Sequence, residues 1–195
     1  MATQAERRAA TRAKLIRAAR ELFARDGYAE THTDTILEYT GLSRGALYHH
    51  FANKQELFEA VFVEITDEVI DYAVKHGQRT GSSLESLISA CIAWLRAVRK
   101  PEAAAILLNQ APQVLGWKRA RDLEAHSSLL LMTKSLDRAI ATGEVQVPSV
   151  ELAARIINAM LAEAALAVLH GDPATSATNQ EASIRQFLVG LRSSP

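Results

Sequence analysis

The chain has 195 residues, 48% hydrophobic and 23% charged, with a formal net charge of zero. That length and balance suit soluble globular units whose core needs no disulfide or metal, and the single cysteine, Cys91, excludes an internal disulfide. No run reaches the ~18 uninterrupted apolar residues of a membrane span, and the N-terminal residues lack the apolar stretch of a secretory signal, so the expected location is the cytoplasm.

Charge is unevenly spread. Residues 1–25 carry seven Lys or Arg against Glu6 and Glu21, and a basic segment on a neutral chain attracts phosphates locally. Nothing alternates with the period of a strand, and apolar residues recur at three and four, the helical period. Leu15, Ala18, Ala19, Leu22 and Phe23 stripe a first helix that Gly27 ends, glycine taking the left-handed conformation cheaply. Thr31-His32-Thr33-Asp34 has the form of a capping box, which predicts a short second helix that stops at Gly41. Ser43 caps an equally short third helix, 44–50. Asn53 and Glu56 start a long fourth helix that Gly77 ends. Two helices of about eight residues are unstable alone, so they pack on the first and fourth.

Residues 76–83 read as a loop. A helix over 84–99 follows, with Cys91 on its apolar face. Pro101 suits the first turn of the next, which Pro112 and Gly116 disrupt. Further helices are predicted over 117–141, 149–169 and 181–191, with residues 171–179 as a flexible linker. The expected fold is all-α with about nine helices: a unit of three helices over 1–54, joined through the long fourth helix to a larger helical unit over 55–195.

A basic helix, a short helix, a glycine turn and a second short helix follow the helix-turn-helix plan. In that plan the second short helix protrudes into a major groove and the first braces it. Leu47 and Phe51 lie four apart and face the core, which leaves Arg44 and His49 outward. Tyr48 and Lys54 flank the exposed face and suit phosphates. Gly45 and Ala46 keep one side of the helix small. Adjacent helical residues point roughly 100° apart, so His49 and His50 do not chelate one ion, and no metal or other cofactor is expected. His49 is expected to be exposed and His50 to be partly buried.

The segments FARDGYAET (23–31), GLSRGALYHHF (41–51) and NKQELF (53–58) resemble the DNA-binding domain of TetR/AcrR-family transcriptional repressors, nearly continuously over residues 10–60. The resemblance implies phosphate contacts from Tyr48 and Lys54, and Ser43, at the cap of the recognition helix, is also placed by its position to reach a phosphate. It also implies base or groove contacts from Arg44, Gly45 and His49, and places Thr33 near the backbone at the start of the bracing helix. Ile36-Leu37, Thr40 and Asp34 depart from the family pattern. Thr40 adds bulk before the turn, and Asp34 is expected to serve its helix N-terminus. The rest of the chain resembles the family in layout only.

No phosphate loop, nucleophile elbow or zinc-protease motif occurs, so no enzyme is expected. Polar residues among apolar ones in the middle helices, with nearby aromatics, suggest a small-ligand pocket from Phe62, Trp94, Asn109, Gln110, Trp117 and His126. The alanine-rich helix 149–169 and the stripe after it suggest a homodimer interface from Leu152, Ile156, Met160, Ala167, Ile184, Phe187, Leu188 and Leu191. The expected protein is a bacterial repressor that binds a pseudo-palindromic operator in double-stranded DNA as a dimer. It would be nucleoid-associated when bound, would not enter the membrane, and would be released by a small, mostly apolar effector. The rivals are an activator or effector-free regulator, and a helical interaction module or enzyme.

Overall fold

The computed structural model describes residues 3–78, 81–169 and 176–193. Ten α-helices and one π-helical stretch make up the fold, with no strand among the described residues beyond an isolated bridge between Val145 and Arg192. Helix α1 spans Gln4–Asp26 and buries Leu15, Ala19, Leu22 and Phe23 along one stripe. Thr3 caps it in a reciprocal box with Glu6. Gly27 ends it at φ 86° and ψ 159°, positive but outside the left-handed helical region that the sequence suggests.

Helix α2 is Thr33–Thr40 and α3 is Arg44–His50. Gly41 joins them at φ 65° and ψ 22°, the left-handed conformation that glycine adopts without a Cβ clash. Ser43 caps α3 by accepting from the Ala46 N–H. The Thr31 capping box does not form. His32 is the N-cap residue, without a side-chain cap bond, and the Thr31 hydroxyl donates to the Gly27 carbonyl at 2.7 Å instead. Thr31 is buried, so its hydroxyl satisfies the turn beneath it rather than the helix ahead.

Helix α4, Lys54–His76, is capped by Asn53, which accepts from the Glu56 N–H at 2.8 Å, while Glu56 accepts from Ala52 N–H. One end of α4 packs on α1 and the other on α5, Ser83–Val98. Under the α1–α2 loop the rings of Phe23, Tyr28 and Phe58 meet pairwise, with centroids 5.2 to 5.5 Å apart. This cluster fastens the loop that leads into α2 to α1 and α4.

The next helix fragments. Pro101–Ala103 is α6, Ala104–Gln110 is π-helical, and Ala111–Val114 is α7. Pro112 has no N–H, and its ring crowds the carbonyl four residues back, so the chain widens ahead of it. Gly116 then turns at φ 75° into α8, Gly116–Ala141. Helix α9 is Val150–Leu169, and α10 is Ala177–Val189. Helix α10 starts four residues before the sequence suggests, because Ser176 caps it by accepting from the Asn179 N–H. Residues 177–179 of the expected linker are therefore helical, and 171–175 lie outside the described residues.

A carboxylate from a distant turn completes the start of α5. Glu144 accepts from the Ser82 hydroxyl, the Ser83 and Leu84 N–H groups, and the Thr142 hydroxyl. These donors hold its carboxyl down from the ordinary 4.5 to about 2, the Ser82 bond first among them. A depressed carboxylate pKa adds stability that is complete above the ordinary value and lost as pH falls toward the folded one. Glu144→Gln is therefore expected to lower stability at pH 7 and to flatten its fall below about pH 4.5. Urea melts across that range read both effects.

Candidate DNA-contacting face and effector cavities

Helix α3 shows one side to the core and the other to solvent. Leu47 is fully buried and Phe51 nearly so, while Ser43, Arg44, Gly45, Tyr48 and His49 are exposed. A Cβ built on Gly45 would meet only the Ser43 Oγ, at 3.9 Å. Nothing among the described residues requires glycine there. His50 is half-buried. Burial, then the neighbouring His49, Arg8 and Arg12, push it below the usual imidazole range, so it is neutral near pH 7. Arg12 of α1 lies over the Phe51 ring at 5.2 Å, which brings the basic N-terminal helix alongside α3.

Three positions sit otherwise than the sequence suggests. Asp34, in the first turn of α2, accepts from the Arg44 guanidinium at 2.5 Å, both side chains being well exposed. It holds the arginine as well as lying at its helix end. The buried Thr40 hydroxyl donates to the Ile36 carbonyl at 2.8 Å, so its bulk is accommodated without an orphan group. The Lys54 side chain is engaged within the chain. Its ammonium donates to the Tyr28 and Thr31 carbonyls at 2.7 and 3.0 Å and lies 4.1 Å from the Tyr28 ring centroid. Burial pushes its pKa down, opposed by Glu30. The carbonyls of the α1–α2 loop hold this side chain against the loop. Residue 54 keeps its backbone N–H at the first position of α4, where no intrahelical partner exists. Thr33, half-buried, opens α2.

Two cavities lie among α4, α5, α8 and α9. The larger, about 420 Å³, is lined by Phe62, Thr66, Val69, Trp94, Leu107 and Leu108, among others. The smaller, about 230 Å³, includes Ser86, Cys91, Met132 and Arg138. Trp94, Ser128 and Asn158 line both, with Asn158 Nδ2 donating to Ser128 Oγ at 3.4 Å. Burial raises the Cys91 thiol to about 12, which leaves it protonated and unreactive.

Of the residues assigned to the pocket by sequence, Phe62 and Trp94 line a cavity. Asn109 is exposed on the π-helical stretch and lines neither. Gln110 is engaged elsewhere, its amide donating to the Phe23 carbonyl and accepting from the Tyr28 N–H, each at 2.9 Å. It ties the middle helices to the short-helix unit. The side chains of Trp117 and His126 lie outside the described residues. Thr66 was missed, since an isolated threonine on an apolar helix carries no local signal.

The interface assignments divide. Leu152, Ile156 and Phe187 are 58%, 58% and 68% exposed, with Met160, Ala167 and Leu191 half-buried. Ile184 and Leu188 are buried at 3% and 1%. These two seat α10 on the chain's own core and do not form an outer surface, because they share its inner face while Phe187 lies on the outer one. Among the described residues no group of His, Cys, Asp or Glu could hold a metal ion, and no helix is long and apolar enough to cross a membrane.

Residues 15–61 match the family model described as bacterial regulatory proteins, tetR family, and residues 84–191 match the tetracyclin repressor-like C-terminal domain. A solved TetR-family transcriptional regulator of Pectobacterium atrosepticum is 32% identical, each chain covering all of the other, with a TM-score of 0.84. The HTH-type transcriptional repressor AcnR of Corynebacterium efficiens is 34% identical over 67 residues, 34% of this chain and 36% of AcnR. The first curated relatives, regulators named UidR, are matched over 28% of their own length. RolR, solved in complex with resorcinol, shares the fold at a TM-score of 0.77 and 17% identity, covering 97% of this chain and 91% of its own. With both family models matched and a full-length relative sharing a third of its residues, this helix-turn-helix chain belongs to the TetR family of transcriptional regulators, which are not enzymes.

Proposed function

We propose that this chain is a ligand-responsive repressor that binds a pseudo-palindromic operator as a homodimer in the bacterial cytoplasm. The observation that carries the reading is the face of α3. Arg44, Gly45, Tyr48 and His49 stand exposed on a helix whose other side is locked into the core by Leu47. Arg44 and His49 are placed for base edges, while Tyr48, Ser43, Thr33 and the backbone N–H of residue 54 are placed for phosphates. The unit that does this spans residues 1–54, and the helices of 55–195 sense ligand and dimerise.

The exposed Leu152, Ile156 and Phe187 supply an apolar face for a second copy. Such pairing places two recognition helices ~34–36 Å apart on one side of the duplex. The two cavities support an effector site, in keeping with the small-molecule complex of RolR. An effector releases DNA only through its preference for the non-binding arrangement.

A gel shift on the DNA upstream of the chain's own gene, repeated across salt concentrations, tests the reading. Steep weakening with salt and competition by that sequence alone support it, whereas absence of sequence preference at every salt concentration overturns it. A smaller effect follows from the Asp34–Arg44 pair. Asp34→Asn removes an anion beside the DNA-facing arginine, and is expected to tighten binding to all sequences by about 0.3–1 kcal/mol at low salt. Anisotropy titrations on operator and unrelated duplexes measure it.

A further inference from the structure

We infer that the larger cavity takes an uncharged ligand, apolar over most of its surface, that brings one hydroxyl or carbonyl oxygen to the Thr66 hydroxyl of α4. The inference rests on the reading of residues 55–195 as an effector domain, and names the chemistry of that effector.

Helical threonines usually turn their hydroxyl back to the carbonyl one turn earlier. Thr11, Thr40, Thr133 and Thr142 all do so here, donating to Arg7, Ile36, Leu129 and Arg138. Thr66 does not. It is 7% exposed, its Oγ1 is buried, and that oxygen finds no partner among the described residues. It stands in the lining of the larger cavity, among Phe62, Val69, Trp94, Val98 and Leu107. A buried hydroxyl without a partner is unfavourable, and a ligand oxygen there relieves it. The hydroxyl both donates and accepts, so an alcohol, a phenol or a ketone satisfies it.

The charges in the lining decide against an anion. Asp122, Arg155 and Glu163 line the cavity as exposed side chains, two carboxylates to one guanidinium. Arg155 donates to Glu151 at 2.8 Å, and Asp122 accepts from Lys118 at 3.1 Å. A carboxylate drawn to Thr66 would lose its hydration, and the one cation among the described lining residues, Arg155, is exposed and already paired with Glu151. The apolar walls and Trp94 favour a flat hydrocarbon body. The position also couples to DNA binding, because Thr66 lies on the helix whose first residue, Lys54, holds the α1–α2 loop.

Calorimetry on the full chain with 2-naphthol, naphthalene and 2-naphthoate tests the inference. Expected are binding of 2-naphthol about tenfold tighter than naphthalene, and no binding of 2-naphthoate. Thr66→Val keeps the shape and removes the hydroxyl. It is expected to erase the naphthol advantage, leave naphthalene unchanged and raise the melting temperature of the free protein. Thr66→Ser is expected to restore the advantage. Binding of 2-naphthoate as tight as that of 2-naphthol overturns the inference. So does a naphthol advantage that survives Thr66→Val, or failure of 2-naphthol to bind. Operator anisotropy on the same samples separates the two levels. If 2-naphthol binds through Thr66 and leaves the operator bound, the ligand chemistry stands and the effector reading falls. If all three probes release the operator equally, the effector reading stands and the ligand chemistry falls.

Discussion

Arg20→Ala is expected to lower the stability of the free protein by about 1–3 kcal/mol, a fall of roughly 2–12 °C in melting temperature for a chain of this size. Arg20 of α1 forks onto both oxygens of Glu102 in α6, at 2.8 and 2.7 Å. It forks again onto both oxygens of Glu68 in α4, at 2.6 and 2.8 Å, with Glu64 at 3.4 Å. The Arg20 side chain is 19% exposed and the three glutamate side chains are 41% to 54% exposed, so solvent screens part of each attraction. Removing the arginine leaves three carboxylates facing one another, and their repulsion adds to the lost bonds. The effect depends on pH in one direction. Arg20 holds the Glu102 carboxyl below its ordinary value, so this contribution is complete above about pH 4.5 and fades as pH falls. Lysine at position 20 cannot fork onto two carboxylates and is expected to recover only part of the loss. Urea melts of the three proteins at pH 7 and pH 4 measure all of this. Equal stability of the wild type and Arg20→Ala at pH 7 would remove the case for an ionic tie between these helices.

Gly45→Leu is expected to have the opposite profile, leaving the fold intact and weakening operator binding about a hundredfold. The backbone at position 45 is ordinary helix, with no positive φ, and a Cβ there has room. Leucine is the better helix former by about 0.5–1 kcal/mol, so the melting temperature should hold or rise. The protein therefore loses a little stability by keeping glycine on an exposed helix. On the proposed reading, close approach of a duplex accounts for that choice, since a leucine side chain would hold α3 away from the groove floor. Parallel thermal melts and anisotropy titrations separate the two effects. Unchanged operator affinity would show that α3 does not enter the groove on its Gly45 side.

The local signals in the sequence and the long-range ones fared differently. Gly41, Ser43 and Asn53 act within four residues of where they stand, and each turn or cap follows from residue type. The inward face of α3 follows from spacing, as does the outward face left to Arg44 and His49. Thr31 shows the limit of such patterns. Its capping-box spacing is correct, yet a nearer carbonyl takes the hydroxyl. Lys54 and Gln110 were legible as polar residues but not as ties, because their partners lie 23 to 87 positions away and only packing brings them together. The same holds for α10. Its stripe announces a buried face, but Ile184 and Leu188 meet their own chain before any partner.

The π-helical stretch Ala104–Gln110 gives the middle of the chain slack. Its bonds close over five residues rather than four, so it holds more chain per turn than an α-helix needs. Leu107 and Leu108 form cavity wall on that stretch, and Gln110 grips Phe23 and Tyr28 at its end. Tightening the stretch toward ordinary α geometry would rotate Gln110 off its two partners. On the proposed reading, a ligand pressing on Leu107 would reach the helix-turn-helix as a released grip, through a change of winding in this stretch.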